Sequence, residues 1–232
     1  MYGLSGWRAV AVAGLVALSG CTAPPPPGSS APFDAATDAS PAGAYAGLLA
    51  AAKASPHDAD FTRLRMAFTR TPAYASHGQT DRDFAALFEA GGAGDWQKAQ
   101  ALAEAQVERN YVRLKAHRYA AAVAHQRGDK AAEEHHLTFY RGLLSSITGS
   151  GDGKSPDTPM SVISVDEEYE VLWTRRQRSG GQSLLQHNGK MLDVLAAVPE
   201  TGSAATRTED VYFDVSALFE WAGQRGPQRP SK

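Results

Sequence analysis

The chain has 232 residues, and its 25 acidic residues slightly outnumber its 23 lysines and arginines, which gives a formal charge of −2 at pH 7. This balance argues against nucleic acid as a partner, because phosphate-binding domains are usually strongly basic. The sequence contains one cysteine, Cys21, so an internal disulfide bond is excluded.

The first 20 residues have the organisation of a bacterial export signal. Arg8 supplies a positive charge, and Ala9–Leu18 is an apolar segment too short to span a bilayer. The following Ser19-Gly20-Cys21 is similar to the lipobox of bacterial lipoproteins, whose cysteine is acylated and becomes the mature amino terminus. We therefore predict a signal peptide over residues 1–20 and a lipid on Cys21 that anchors the protein to the membrane. An ordinary secretory signal with a chance cysteine is the alternative.

A low-complexity segment over residues 21–41 follows the predicted lipid site. Pro24–Pro27 favours an extended polyproline II conformation, and the alanine, serine and aspartate residues beyond it cannot build a core. We predict a stalk that holds the folded part away from the lipid. The residue after Cys21 is Thr22 and not an aspartate. In this respect the chain resembles Gram-negative lipoproteins that are sorted to the outer membrane. The expected location is therefore the outer membrane, facing the periplasm.

Apolar residues recur at helical spacing over residues 42–148, which predicts a helical lobe. Gly94-Asp95 and Gly128-Asp129 are 34 residues apart, and each precedes an amphipathic helix. This period is typical of tetratricopeptide helix pairs. We predict stacked helical hairpins of that general type, and a bundle without repeats is the alternative.

Residues 149–222 have a different pattern and predict a small mixed lobe. Val162–Val165 predicts a strand, and Asp166 is expected to cap a short helix that ends near Trp173. Ser183-Leu184-Leu185 and Met191–Val198 predict two strands around the turn Asn188-Gly189, which indicates a β-hairpin, and Val211–Val215 predicts a last strand. The expected fold class is α+β, with the helical hairpins packed on a small C-terminal antiparallel sheet. Residues 223–232 are predicted to be a disordered tail.

Several motifs in this chain resemble a bacterial family known as domain of unknown function number 4919. They are Phe61-x-x-Leu64-Arg65, Ala116-His117, Ser150-Gly151-Asp152-Gly153, Val162-Ile163-Ser164-Val165 with Glu168-Tyr169, Gly181-Gln182-Ser183-Leu184 and Val211-Tyr212-Phe213-Asp214-Val215-Ser216. The resemblance covers roughly residues 55–216. It implies exported proteins, often lipoproteins, with no assigned activity.

The histidines are the first candidates for chemistry. His117 and His125 are expected two turns apart on one helix, and His135 and His136 at the start of the next, antiparallel helix. An imidazole pair across this hairpin could ligate a metal, with Glu133, Glu134 or Asp129 as a third ligand. No two histidines have the i, i+4 spacing of a helical metal site, so a structural or exposed role is the favoured interpretation. We predict no metal and no cofactor.

Asp152, Glu168 and Tyr169 form the second group of candidates. The family resemblance implies that His117 and His136 converge on these residues, and carboxylates close to histidine could perform acid–base chemistry. The plainer hypothesis is that Glu168 and Tyr169 satisfy buried polar groups where the sheet meets the helices. The sequence contains no nucleophile elbow typical of a serine hydrolase.

Two functions therefore stay open. The favoured one is an interaction module of the cell envelope that is tethered by its lipid and binds a protein or a peptide, since stacked helical hairpins usually bind partners. The alternative is a cell-envelope hydrolase that uses the His/Asp/Glu residues. The sequence favours a protein that is not an enzyme, and it identifies neither the partner nor the oligomeric state.

Overall fold

The computed structural model of the protein describes residues 40–74, 84–201 and 209–225. The predicted signal peptide, Cys21 and nearly all of the predicted stalk lie outside these residues, as do most residues of the predicted tail. The helices are α1 (Pro41–Ala54), α2 (Phe61–Phe68), α3 (Ala85–Gly92), α4 (Trp96–Arg109), α5 (Leu114–Arg127), α6 (Lys130–Thr148), α7 (Val165–Thr174) and α8 (Ser216–Arg225), and a 3₁₀ turn spans Pro56–Asp58. None of the helices described is long and apolar enough to cross a membrane.

The two Gly-Asp pairs form the same turn between two helices. Gly94 and Gly128 have φ angles of 75° and 71°, which glycine adopts without strain. The side chains of Asp95 and Asp129 then cap the next helix, each accepting a hydrogen bond at 3.0 Å from the backbone N–H three residues on. The hairpins α3–α4 and α5–α6 are built this way, and α4 also packs on α5. The repeat seen in the sequence therefore has a structural counterpart.

The C-terminal part contains a four-stranded sheet in the order β1-β4-β3-β2. Its strands are β1 (Met160–Ser161), β2 (Gln177–His187), β3 (Lys190–Pro199) and β4 (Glu209–Asp214). The predicted α+β class is confirmed, with the helices mostly N-terminal and the sheet C-terminal. The sheet is mixed, however, because β1 pairs with β4 in parallel, whereas β4, β3 and β2 are antiparallel.

Two predictions around β1 are wrong, and the contacts of two neighbouring carboxylates explain them. The strand predicted at Val162–Val165 ends already at Ser161, and α7 begins at Val165 with Ser164 at the N-cap position. The Glu167 carboxylate accepts a hydrogen bond from the backbone N–H of Ile163 at 2.8 Å and so fixes the start of the helix. Asp166 does not cap the helix, because its side chain pairs with Arg113 instead.

The predicted hairpin is confirmed, with longer strands than expected. Asn188 and Gly189 have φ angles of 49° and 77°, the left-handed pair that a tight two-residue hairpin turn requires. A bulge lies between Ser179 and Gln182, where the register of β2 against β3 shifts.

One hydrophobic core connects the helices and the sheet. Its fully buried side chains come from α2, α6, β1, β3 and β4, and include Leu64, Phe139, Leu143, Met160, Leu195 and Phe213. α2 and α6 approach each other closely, since a β-carbon on Gly142 would overlap the ring of Phe61. Helices and sheet therefore bury a shared interior.

Candidate functional site

His117 and His136 meet in the interior of the helical lobe. Their Nδ1 atoms are 3.2 Å apart, and the Nε2 of His117 donates a hydrogen bond to the carbonyl of Tyr111 at 2.9 Å. Because a carbonyl only accepts, the proton of His117 is on Nε2, and its Nδ1 must accept from Nδ1–H of His136. The other nitrogen of His136 lies 3.2 Å from the carboxylate of Glu104.

This chain of hydrogen bonds determines where the charge lies. Burial lowers the pKa of His117 to about 3, so this ring is neutral. The hydrogen bond to His136 lowers the pKa of Glu104, so the carboxylate is ionised and requires a donor. His136 therefore lies between the acceptor Nδ1 of His117 and the ionised carboxylate of Glu104. The network runs from the half-exposed Glu104 to a backbone carbonyl, without a nucleophile at its inner end.

The surroundings of the histidines are aromatic and closed. The ring of His117 stacks on Phe139, with centroids 5.0 Å apart and planes 9° from parallel. The hydroxyl of Tyr111 lies 3.0 Å from Nε2 of His135. Within the described residues, no three His, Cys, Asp or Glu side chains are grouped closely enough to hold a metal ion. The arrangement joins α4, α5 and α6 through buried polar contacts.

Helix α7 is held against the helical lobe by acidic side chains, each paired with a base. Asp166 pairs with Arg113 at 2.7 Å, Glu167 with Arg65 at 2.5 Å and Glu170 with Arg118 at 2.8 Å. Both Arg65 and Glu167 are almost completely buried. Buried charges are tolerated because each has a partner of opposite sign.

Glu168 is the exception on this helix. Its side chain is fully buried, and no N–H or hydroxyl donor among the described residues reaches either carboxyl oxygen. The neighbouring ionisable group is another carboxyl, Asp193 on β3, which is also buried and whose Oδ1 is likewise unpartnered. The other oxygen of Asp193 accepts from the amide of Gln182 on β2.

The two carboxyls must share a proton. Burial, and then the negative charge of Asp193, raises the pKa of Glu168 to about 9, and burial also raises the pKa of Asp193. At neutral pH Glu168 is therefore protonated and can donate to Asp193, which satisfies oxygens that would otherwise repel each other. Such a pair is chemically suited to proton transfer, but it is closed off between α7 and the sheet.

The remaining predicted residues lie elsewhere. Asp152 is in an exposed loop, where it accepts from the hydroxyl of Thr158 at 2.6 Å and from the backbone N–H of Lys154 at 3.0 Å. Tyr169 is exposed on α7. The structure brings His117 and His136 together, but none of the contacts it describes joins them to Asp152, Glu168 or Tyr169.

Sequence reasoning missed the partners in both networks. Asp193 lies on an apolar strand, on the same face as the buried Leu195 and Ala197. A carboxylate at such a core-facing position could have indicated a buried polar site. Glu104 carries no comparable signal, because an acidic residue on an amphipathic helix is normally solvated.

A second candidate site lies at the open edge of the sheet. β2 is an edge strand, and in the described part of the chain no other strand pairs with its outer side. Leu184 on β2 is 57% exposed and Leu185 37%, while Trp173 on the neighbouring α7 is 48% exposed and Tyr169 41%. We call these four side chains, together with β2, the edge surface.

Comparison with known proteins supports a family but no activity. The family described as Domain of unknown function (DUF4919) matches residues 52–222, which include every strand and helices α2 to α7. No curated protein and no solved structure matches the chain.

Proposed function

This chain belongs to the DUF4919 family, and we propose that it is a lipid-anchored interaction module of the bacterial envelope that binds an extended segment of a partner along β2. The observation that carries the proposal is where the exposed apolar side chains lie. The described part of the chain has six large apolar residues that are exposed, and four of them belong to the edge surface. The other two, Met66 and Phe219, lie on α2 and α8.

The backbone of β2 is suited to accept another strand. An edge strand directs alternate N–H and C=O groups away from its own sheet, where a partner can pair with them. Folded proteins usually protect such an edge with charged side chains, proline or a β-bulge. Here Ser179–Gln186 contains no charge and no proline, and beyond the bulge the register is continuous from Gln182 to His187. This part of the strand presents two leucines on opposite faces.

Helix α7 supplies the side of this proposed groove. It packs against β2, and the exposed Trp173 ring lies 4.2 Å from the guanidinium of Arg118, whose bonds to Glu170 hold it in place. An aromatic side chain supported in this way offers apolar area at low entropic cost. A bound segment would therefore gain main-chain hydrogen bonds from β2 and apolar contacts from α7.

The anchor belongs to the same proposal and rests on the sequence around Cys21. A lipid on that cysteine and the proline-rich stalk after it would present the edge surface to partners near the membrane. We do not extend the proposal to hydrolysis, because the histidine chain ends at the carbonyl of Tyr111 and the Glu168 carboxyl is fully buried.

Photocrosslinking in intact cells tests this function. A photoreactive residue at Ser183, on the edge strand, should give a discrete adduct, whereas one at the exposed Glu89 on α3 should not. The adduct should fall at least about tenfold when Trp173 and Leu184 are both changed to serine, because two apolar contacts of roughly 1–2 kcal/mol are lost. The matched control changes Met66 and Phe219 to serine and should leave it intact. An adduct that survives in the first variant, or no adduct at Ser183, would overturn the proposal.

A further inference from the structure

We propose that the segment bound along β2 is acidic, and that its carboxylates pair with Arg175, Arg176 and Arg178 at the amino end of this strand. This inference rests on the function proposed above and names the chemistry of the partner. It assigns a role to three charges that the fold itself does not use.

The three arginines are exposed and have no carboxylate partner among the described residues. Arg175 donates only to the sulfur of Met160, at 3.5 Å. The arginines between α7 and the helical lobe, in contrast, are paired, as Arg65 is with Glu167 and Arg118 with Glu170. Glu200 and Glu209 lie next to the turn that leads into β2, but none of the ion pairs in the described part of the chain joins them to the three arginines. The turn therefore carries positive charge that remains available to a ligand.

The backbone of Arg176 supports a role for its side chain. Its φ angle is 55°, in the left-handed region that favours glycine or asparagine. An arginine at such a position costs local conformational energy, and residues held in this region cluster at functional sites. The carbonyl of Arg176 accepts a hydrogen bond from the N–H of Glu200 at 2.9 Å, which holds the turn against the end of β3.

Charge also distinguishes a foreign segment from a second copy of this chain. β2 contains no acidic residue, so a second copy paired in parallel would place the two arginine groups side by side. Antiparallel pairing would place each group beside His187 and Lys190, where the nearest carboxylates, Asp157 and Asp214, already pair with those residues at 2.7 and 2.9 Å. An extended peptide with unpaired carboxylates therefore fits the three arginines better than a second β2 does.

Peptide binding to the full-length protein in nonionic detergent tests the inference. The probes are three fluorescent peptides with the same threonine–valine repeat, ending in three glutamates, three serines or three lysines. We expect the glutamate peptide to bind about tenfold more tightly than the serine peptide and the lysine peptide to bind most weakly. In about 1 M NaCl, where the screening length is about 3 Å, the three affinities should converge.

Variants separate this inference from the proposed function. Changing Arg175 and Arg178 to glutamine and Arg176 to glycine should remove the preference for glutamate while leaving the melting temperature unchanged or higher, because the strained turn is relieved. Changing Trp173 and Leu184 to serine should weaken the binding of all three peptides equally.

If the three peptides bind alike at low salt, the acidic partner is refuted and strand addition stands. If no peptide binds, the proposed function fails as well. A shift to dimers on size exclusion that the triple variant abolishes would refute the foreign partner.

Discussion

Replacing Glu168 by glutamine should stabilise the protein, and the gain should grow with pH. The native state holds a proton on this side chain up to a pKa of about 9, whereas the ordinary value is 4.5. The unfolded chain therefore releases a proton that the folded chain keeps, and stability falls as pH rises between these values. The slope for one group is about 1.4 kcal/mol per pH unit. Glutamine stays neutral in both states, and its amide can donate to Asp193 as the carboxyl proton does.

The expected gain follows from that slope. Near pH 4.5 the two proteins should differ little, and at pH 7 the variant should be more stable by about 3 kcal/mol. Above pH 9 the difference in stability should stop growing, because Glu168 is then ionised in the folded protein as well. Rearrangement of the ionised carboxyl pair would make this final difference smaller. Because both proteins retain Asp193, the contribution of that carboxyl to the comparison largely cancels.

Urea unfolding at several pH values between about 5 and 9 measures this difference. Glu89→Gln is the matched control, because Glu89 is exposed on α3 and the same change there should shift stability by less than about 0.5 kcal/mol at every pH. A difference for Glu168→Gln that does not vary with pH would contradict the shared proton. A variant less stable than the parent at pH 8 would show that the carboxyl is ionised and paired in the native protein.

Three further changes test other parts of the structure. Arg65→Met should cost about 3–5 kcal/mol in urea unfolding, because it leaves the buried carboxylate of Glu167 without a cation. Gly142→Ala should cost about 1–3 kcal/mol by the same measurement, despite alanine's higher helix propensity, because its methyl group would overlap the Phe61 ring. Cys21→Ser should move the protein from the membrane to the soluble fraction of the cell, and continued sedimentation with membranes would contradict the predicted lipid.

The parts of the fold that were predicted correctly depend on local chemistry. The Gly-Asp turns and Asn188-Gly189 need left-handed backbone angles within a few residues, and the sequence supplies residues that adopt them. The strand predicted at Val162–Val165 was wrong because four apolar or small residues carry no information about Glu167, whose carboxylate begins the helix. The parallel partner of β1 comes from more than 50 residues further on, and no local pattern predicts such a pairing.

The candidate sites divide in the same way. The meeting of His117 and His136 follows from two antiparallel helices and could be predicted, whereas the proton shared by Glu168 depends on Asp193, on a distant strand. β2 was the hardest element to foresee. Strands are usually recognised by alternation between a buried and an exposed face, but nearly every residue of β2 is exposed, and only the short Ser183-Leu184-Leu185 run was predicted as strand.

The distribution of paired and unpaired charge connects the two halves of this structure. α7 directs three carboxylates to arginines of the helical lobe, and these buried pairs hold the helix with Tyr169 and Trp173 exposed. Its fourth carboxyl, Glu168, meets the sheet without a cation and lowers stability at neutral pH.

Gln182 of β2 bonds to Asp193 of this carboxyl pair, so one side chain links the pair to the strand that a bound segment would join. An acidic segment at the outer edge of β2 would also bring negative charge closer to both carboxyls. Binding of the acidic peptide should therefore raise the pKa of Glu168 further and become weaker as pH rises toward 9, while the Glu168→Gln variant should bind with little dependence on pH. Equal pH dependence in both proteins would show that the edge surface and the carboxyl pair act independently.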